Sequence, residues 1–165
     1  IELMINTDAA GVSAKTGHGF TSHGSKELAL FLEIISNGLG TFDRNWELPK
    51  VTEYEYERFW ETIRPYSDHW PFYRLGVPVA RFHDIPMDPI DTLYCHSKAD
   101  TVDKVDPKGL KDSALILALA LMKIADAEEI PVKHTPIKDI MRKIEETEYA
   151  ENLRIEKRLY RETPA

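Results

Sequence analysis

The chain has 165 residues, of which 42% are hydrophobic and 30% are charged, values typical of one soluble globular domain with a core of its own. The formal net charge of −7 argues against a nucleic-acid-binding surface, because phosphate recognition needs clustered lysine and arginine. The longest apolar run, Ala114–Met122, is too short for a membrane span, which needs about 20 residues.

The first segment, Ile1–Asn6, alternates and is rich in branched side chains, which predicts a buried strand. Because the chain opens directly into this strand, on Ile rather than Met, we expect its true N-terminus to lie upstream. No targeting signal can then be read, and a cytoplasmic and a secreted location stay equally open. Glycines in Lys15–Gly24 predict a loop, in which His18 and His23 are expected to be solvated.

A helix is predicted next, because Ser25 suits the N-cap and apolar residues follow at helical spacing. These residues are Leu28, Phe31, Leu32 and Ile35. Gly38 and Gly40 are expected to end the helix. Beyond it, Val51–Tyr56 predicts a short strand and Tyr56–Ile63 one or two helical turns.

Gly76–Phe82 predicts a second core strand, and the proline-containing segment His83–Thr92 predicts a loop. The clearest helix begins at Asp106-Pro107 and runs to about Ala127, since Asp before Pro is a helix start signal. A broad apolar face predicts that this helix packs flat on a sheet. That face consists of Leu110, Ala114, Leu117, Ala118, Leu121 and Ile124.

The segment Pro136–Arg161 is dense in charges of both signs, with an apolar minority, and predicts one or two amphipathic helices. The alternation of strand and helix before it favours a layered α/β fold. In such folds, functional residues lie in loops beyond the carboxyl ends of strands. Asp8 and His96 both lie at such positions.

Asp8 belongs to the first of three segments with candidate chemistry, Asn6–Gly11. A carboxylate at the end of a buried strand is held rigidly and can face a cleft. Equally, Asp8 can cap a turn through its own backbone.

The second segment is Ser67–Phe72, where Asp68 and His69 precede aromatic residues. They can orient a metal ligand or line a substrate pocket. Alternatively, the aromatic rings fill the core while Ser67 and Asp68 cap a helical turn. A Ser-His-Asp triad is disfavoured, because adjacent residues cannot point at one another as a triad requires.

The third segment is Tyr94–Thr101. Imidazole is a frequent zinc ligand, so His96 is a candidate, with Asp100 as acceptor for its other ring nitrogen. Alternatively, His96 is a surface histidine before a helix. Cys95 is the single cysteine, which excludes an intrachain disulfide. As a nucleophile it is disfavoured, because its direct neighbour His96 rarely has the geometry of a base.

In this order, the segments Ile5–Gly11, Ser67–Pro78 and His96–Val105 resemble the C-terminal half of the di-zinc aminopeptidase family. That family includes glutamate carboxypeptidase-like, glutaminyl-cyclase-like and non-catalytic receptor members. The resemblance covers about Ile1 to Ala127. It implies a three-layer α/β/α sandwich with a mixed sheet, of which this chain holds only the C-terminal part. Residues 1–130 would then be half of a zinc-peptidase catalytic domain, and residues 131–165 a charged, amphipathic helical tail.

The resemblance further implies that the parent protein hydrolyses N-terminal peptide bonds of peptides, with water activated by two zinc ions. By position, Asp8 and His96 correspond to metal ligands. Residues expected near the cleft are Asp68, His69, Phe72, Tyr94 and Asp100. The general-base glutamate and the remaining ligands are expected upstream of Ile1, so this chain alone is expected to be incomplete and inactive.

Cys95 departs from the family pattern, because many members have Tyr or Trp directly before the last histidine. Tyr94 lies one position early, which puts oxyanion stabilisation by a phenol in doubt. Three alternatives stay open, and Cys95 favours the first of them. They are a non-catalytic, receptor-like relative, an acyl-transfer relative of cyclase type, and an inactive fragment that forms a homodimer through its tail or a sheet edge. The absence of glutamine resembles the composition of heat-adapted proteins.

Overall fold

The structure, a computed structural model, describes residues 1–8, 10–11, 17–23, 25–39, 65–85 and 93–156. The strands are β1 (Met4–Thr7), β2 (Gly17–Ser22) and β3 (Val79–Ile85). The helices are α1 (Lys26–Leu39), the short α2 (Trp70–Tyr73), α3 (Pro107–Ala125), α4 (Ile137–Glu145) and α5 (Ala150–Ile155), with a 3-10 turn at Val102–Lys104. The strand predicted for Val51–Tyr56 and the helical turns predicted for Tyr56–Ile63 lie outside the described residues.

The strands form a mixed three-stranded sheet in the order β1-β3-β2, which confirms the predicted α/β class. Strand β1 runs parallel to β3, and β2 runs antiparallel to it. The loop predicted for Lys15–Gly24 is wrong, because its residues 17–22 pair with β3 along their whole length. That ladder also carries β3 through Ile85, into the segment predicted to be a loop from His83 onward.

One face of the sheet is covered by α1 and α3. Side chains alternate between faces along a strand, and Ala80 and Phe82 of β3 point to this side. The cluster there consists of Leu28, Leu32, Ile35, Ala80, Phe82, Ile116, Ala120 and Ile124. Phe20 of β2 adds an aromatic contact, with its ring centroid 5.1 Å from that of Phe82.

The opposite face is covered by α2 and by the two helices of the charged segment. Val79 of β3 points to this side and belongs to a second buried cluster. Its members are Trp70, Tyr73, Val79, Ile140, Ile144 and Leu153. The prediction of one or two amphipathic helices is confirmed as far as residue 156, and their apolar sides pack on the sheet and α2. Among the described residues, none of the helices combines the length and the hydrophobicity of a transmembrane segment.

Both predicted helix starts are confirmed. Ser25 Oγ accepts from the Leu28 backbone N–H at 3.2 Å, and Asp106 Oδ1 accepts from Lys108 and Gly109 at 2.8 and 3.3 Å. The C-terminus of α1 differs from the prediction, because Gly38 lies within the helix.

The predicted buried face of α3 is wrong, because Ile124 alone among its six residues is fully buried. The structure buries Gly109, Ser113, Ile116, Ala120 and Ile124. Leu110 and Leu121, on the predicted face, are each 46% exposed. Helix α3 is apolar around most of its circumference, so its periodicity does not select a face. The small residues allow close packing, and Ser113 is satisfied within the helix by donating to Gly109 O at 3.0 Å.

The connection from α3 to α4 passes the start of β3. The Thr135 N–H donates to Gly76 O at 2.9 Å, and Gly76 has a φ of +78°. A Cβ at Gly76 would lie 1.9 Å from Thr135 O, so the close approach requires glycine. His134 Nε2 lies 2.7 Å from Ile1 O, which ties the same connection to the start of the chain.

Candidate functional site

Asp8 lies directly after β1, with its backbone N–H donating to Phe82 O at 3.1 Å. Its side chain is 45% exposed. Ser67 Oγ donates to Asp8 Oδ2 at 2.9 Å, and Asn6 Nδ2 donates to Ser67 Oγ at 2.7 Å. The structure therefore brings the first and second segments together through Ser67.

Arg81 on the central strand is the residue that sequence reasoning missed. Its Nη2 donates to Asp8 Oδ2 at 3.0 Å, and its side chain is only 19% exposed. The signal in the sequence was a charged residue within an apolar strand, where a charge needs a partner. The strand register that selects Asp8 as that partner is not readable from the sequence.

His69 is buried, at 1% exposure, and stacks on His23 with ring centroids 4.1 Å apart. His23 is 5% exposed, so its predicted solvation is wrong: it follows the newly found strand β2, which carries it into the interior. The side chains of His18 and His83 lie outside the described residues. Phe72 is partly buried and packs against the second buried cluster, which contains Trp70 and Tyr73. Asp68, by contrast, is exposed.

His96 is exposed and has a φ of +60°, the only positive φ among the described residues other than glycine. Such a conformation costs about 1 kcal/mol and is found preferentially at functional sites. Tyr94 is half-buried, with Lys104 Nζ 5.3 Å from its ring centroid. Asp100 is exposed, and its described hydrogen bond runs from its backbone N–H to Ser97 O at 3.2 Å.

The turn after His96 carries an exposed ion pair. A hydrogen bond from Lys104, together with one from Thr101, lowers the pKa of the Asp103 carboxyl to about 2. The same contact with Asp103 raises the pKa of Lys104. Both side chains thus stay charged across the physiological range.

The end of the His96 loop lies beside the Asp8 segment. The Asp106 N–H donates to Gly11 O at 3.0 Å, and a Cβ at Gly11 would contact Val105 and Leu110. The first segment therefore contacts the start of α3 and the residue before it, whereas no described contact joins it to Tyr94–Thr101. No contact between the Asp8 and His96 side chains is present among the described hydrogen bonds and ion pairs.

The donors for a metal ion are incomplete in this part of the chain. Asp8 Oδ1 and the His96 imidazole are of the types that zinc takes. Within the described ranges, however, no three side chains of His, Cys, Asp or Glu lie close enough to hold a metal ion. Structural and catalytic zinc sites use at least three protein ligands. The described residues therefore do not make a zinc site by themselves.

A family model, peptidase family M28, matches residues 1–121 of the chain. The match confirms the resemblance carried by the segments around Asp8, His69 and His96, and it covers nearly the same stretch, about Ile1 to Ala127. Comparison with curated proteins and with solved structures gives no match.

Proposed function

Because the chain belongs to peptidase family M28, we propose that it is part of a zinc-dependent aminopeptidase that hydrolyses N-terminal peptide bonds of peptides. Membership itself points to a peptidase, that is, a hydrolase. The observation that best supports the finer proposal is the geometry of Asp8. Its carboxylate follows β1, is fastened through one oxygen and is half exposed, and Gly11, three residues further on, accepts a hydrogen bond from Asp106 at the start of α3.

In this proposal, Asp8 and His96 are metal ligands of the parent protein. Zinc would polarise the scissile carbonyl and lower the pKa of the attacking water. Ser67 and Arg81 would orient Asp8, and Asp68, His69, Phe72, Tyr94 and Asp100 would shape the surrounding pocket. His69 and Phe72 would act from within the protein interior, because neither reaches the surface fully.

Substitution of the two proposed ligands in the parent protein tests this function. We expect Asp8→Asn and His96→Ala each to lower kcat/KM for an aminoacyl anilide by at least about a hundredfold, because each removes a metal ligand. His134→Ala is the matched control, since this exposed histidine lies against Ile1 rather than near Asp8. Circular dichroism checks that the variants fold. Full activity in both ligand variants would contradict the proposal.

A second candidate is a non-catalytic, receptor-like relative. The ion pair between Arg81 and Asp8 favours it, because a carboxylate already neutralised by a guanidinium needs no metal to stay ordered. Cys95, in place of the family's Tyr or Trp, also favours it. Metal content separates the two candidates: a peptidase parent retains about two zinc ions per chain after dialysis, whereas the relative retains none.

A homodimer stays a prediction. The tail buries Ile140, Ile144 and Leu153 within the chain and leaves Ile137 and Ile155 exposed. Strands β1 and β2 are the outer strands of the described sheet, and their unpaired edges are the second predicted surface for a dimer. Light scattering by the purified chain decides between monomer and dimer.

A further inference from the structure

Arg81 is a charged side chain on a covered face of the central strand. Its cross-strand neighbours are Asn6 on β1 and Thr21 on β2, both nearly inaccessible at 6% and 9% exposure. Enclosing a guanidinium in this way is unfavourable unless it finds a counter-charge. Among the described residues, the acidic group that Arg81 contacts is Asp8. The Nε atom of Arg81 is buried and has no described hydrogen-bond acceptor.

The two donors that reach Asp8 converge on the same oxygen. Ser67 Oγ and Arg81 Nη2 lie 2.9 and 3.0 Å from Oδ2, whereas Oδ1 has no hydrogen-bond donor among the described residues. The carboxylate is thus held by one oxygen and presents the other. Ser67 supplies a neutral hydrogen bond, but Arg81 supplies a full positive charge. Both contacts order the carboxylate, but only the charge of Arg81 repels a cation that binds Oδ1.

We propose that Arg81 acts as a built-in cation at Asp8, which keeps the carboxylate ordered and lowers the affinity of the site for a divalent metal ion. This proposal rests on the proposed role of Asp8 as a ligand. Arg81 would be a positioning residue, since it acts through Asp8. In a chain whose described residues do not complete a metal site, the guanidinium provides the charge neutralisation that a metal would otherwise supply.

Arg81 has two effects on cation binding at Asp8: its charge repels the cation, and its hydrogen bond orders the carboxylate. The repulsion is the larger of the two. Repulsion between a guanidinium and a divalent ion on the same carboxylate, in half-exposed surroundings and physiological salt, is worth about tenfold in affinity. Loss of the Arg81 contact would also free the short Asp8 side chain, an effect of about twofold in the other direction. Ser67 still holds the carboxylate, which limits that second effect. Removal of the positive charge is therefore expected to strengthen cation binding.

The test compares Arg81→Gln with Arg81→Lys in the full chain. Glutamine keeps an N–H donor for Asp8 and removes the charge, whereas lysine keeps the charge. Isothermal titration with zinc chloride measures binding, and the same substitutions in an Asp8→Asn background give the binding to subtract. We expect the Asp8-dependent affinity of Arg81→Gln to exceed that of the wild type about tenfold, and that of Arg81→Lys to stay within about threefold.

Salt dependence distinguishes a charge effect from a structural one. The difference between the glutamine and lysine variants should shrink as sodium chloride rises from about 0.05 to 0.5 M, because salt screens the repulsion. Equal affinities of the two variants, or weaker binding by Arg81→Gln, would overturn the proposal and leave the role of Asp8 intact. Absence of Asp8-dependent zinc binding from every variant would overturn this proposal. Activity of the Asp8→Asn parent protein then tests the proposed function separately.

Discussion

Asp8 and His96 differ in how their surroundings fix them. Asp8 is fastened by Ser67 and Arg81, whereas His96 is fixed mainly by its backbone, in a left-handed conformation on an exposed loop. The sequence marks both residues as candidates, because residue type and position after a strand are readable, and their role as ligands stays a prediction. It did not predict Arg81 as a partner, since that contact depends on the register between β1 and β3.

The backbone of His96 leads to a stability prediction. Glycine adopts a φ of +60° without the steric cost of roughly 1–2 kcal/mol that other residues bear, and it also adds freedom to the unfolded chain, so His96→Gly should stabilise the chain by a net amount of up to about 1 kcal/mol. Lys98→Gly is the control, because Lys98 lies in the same exposed loop without a positive φ. There glycine only adds freedom to the unfolded chain and should cost about 0.5–1 kcal/mol. Urea unfolding measures both; equal losses in the two variants would exclude strain at His96.

Elements were predicted best where a local signal defines them. The caps Ser25 and Asp106 set two helix starts correctly. Strand β2 was missed because its glycines indicate a loop, and only its pairing with β3 makes it a strand. The face of α3 was misassigned because apolar residues surround that helix, so burial is decided by what α1 and β3 present to it.

Helix α4 gives a prediction on how the tail contributes to stability. Ile144 is fully buried against the sheet side of the chain, so Ile144→Ala should lower the free energy of unfolding by about 2–4 kcal/mol. Ile137, on the same helix, is 44% exposed, and Ile137→Ala should cost less than about 1 kcal/mol. Urea denaturation is followed by tryptophan fluorescence, to which Trp70 of the same cluster contributes together with the other two tryptophans of the chain. Equal small losses would mean that the tail contributes little to the main unfolding transition.

At the scale of the whole molecule, the α/β class and the family were predictable, because strand and helix patterns and three ordered segments carry them. The packing of the tail was not, since an amphipathic pattern shows that a helix has an apolar side and leaves its partner open. A domain boundary near residue 130 stays a prediction. Ile140 and Leu153, which follow this boundary, share a buried cluster with Trp70, which precedes it.

Global stability should fall at high pH because of Tyr73. Burial raises the pKa of this phenol above its ordinary value of 10.0, so the folded chain holds the proton more tightly than the unfolded chain. The stabilising contribution is present below pH 10 and is lost as the pH rises beyond it. Tyr73→Phe should therefore gain stability relative to the wild type between about pH 9 and 11. Urea unfolding at both pH values measures this, and a constant difference between the proteins would contradict it.

The strand order has a consequence for how the chain is made. Strands β1 and β2 both pair with β3 and not with each other, yet Val79 follows Ser22 by more than a third of the chain. At about 5–20 residues per second, a ribosome needs roughly 3–11 s to pass from the end of β2 to the start of β3. During that interval the nascent chain carries two strands whose shared neighbour in the described sheet has not been made. Their backbone groups are then open to pairing with other chains, so the late synthesis of the central strand is expected to lengthen the period in which the nascent chain can aggregate.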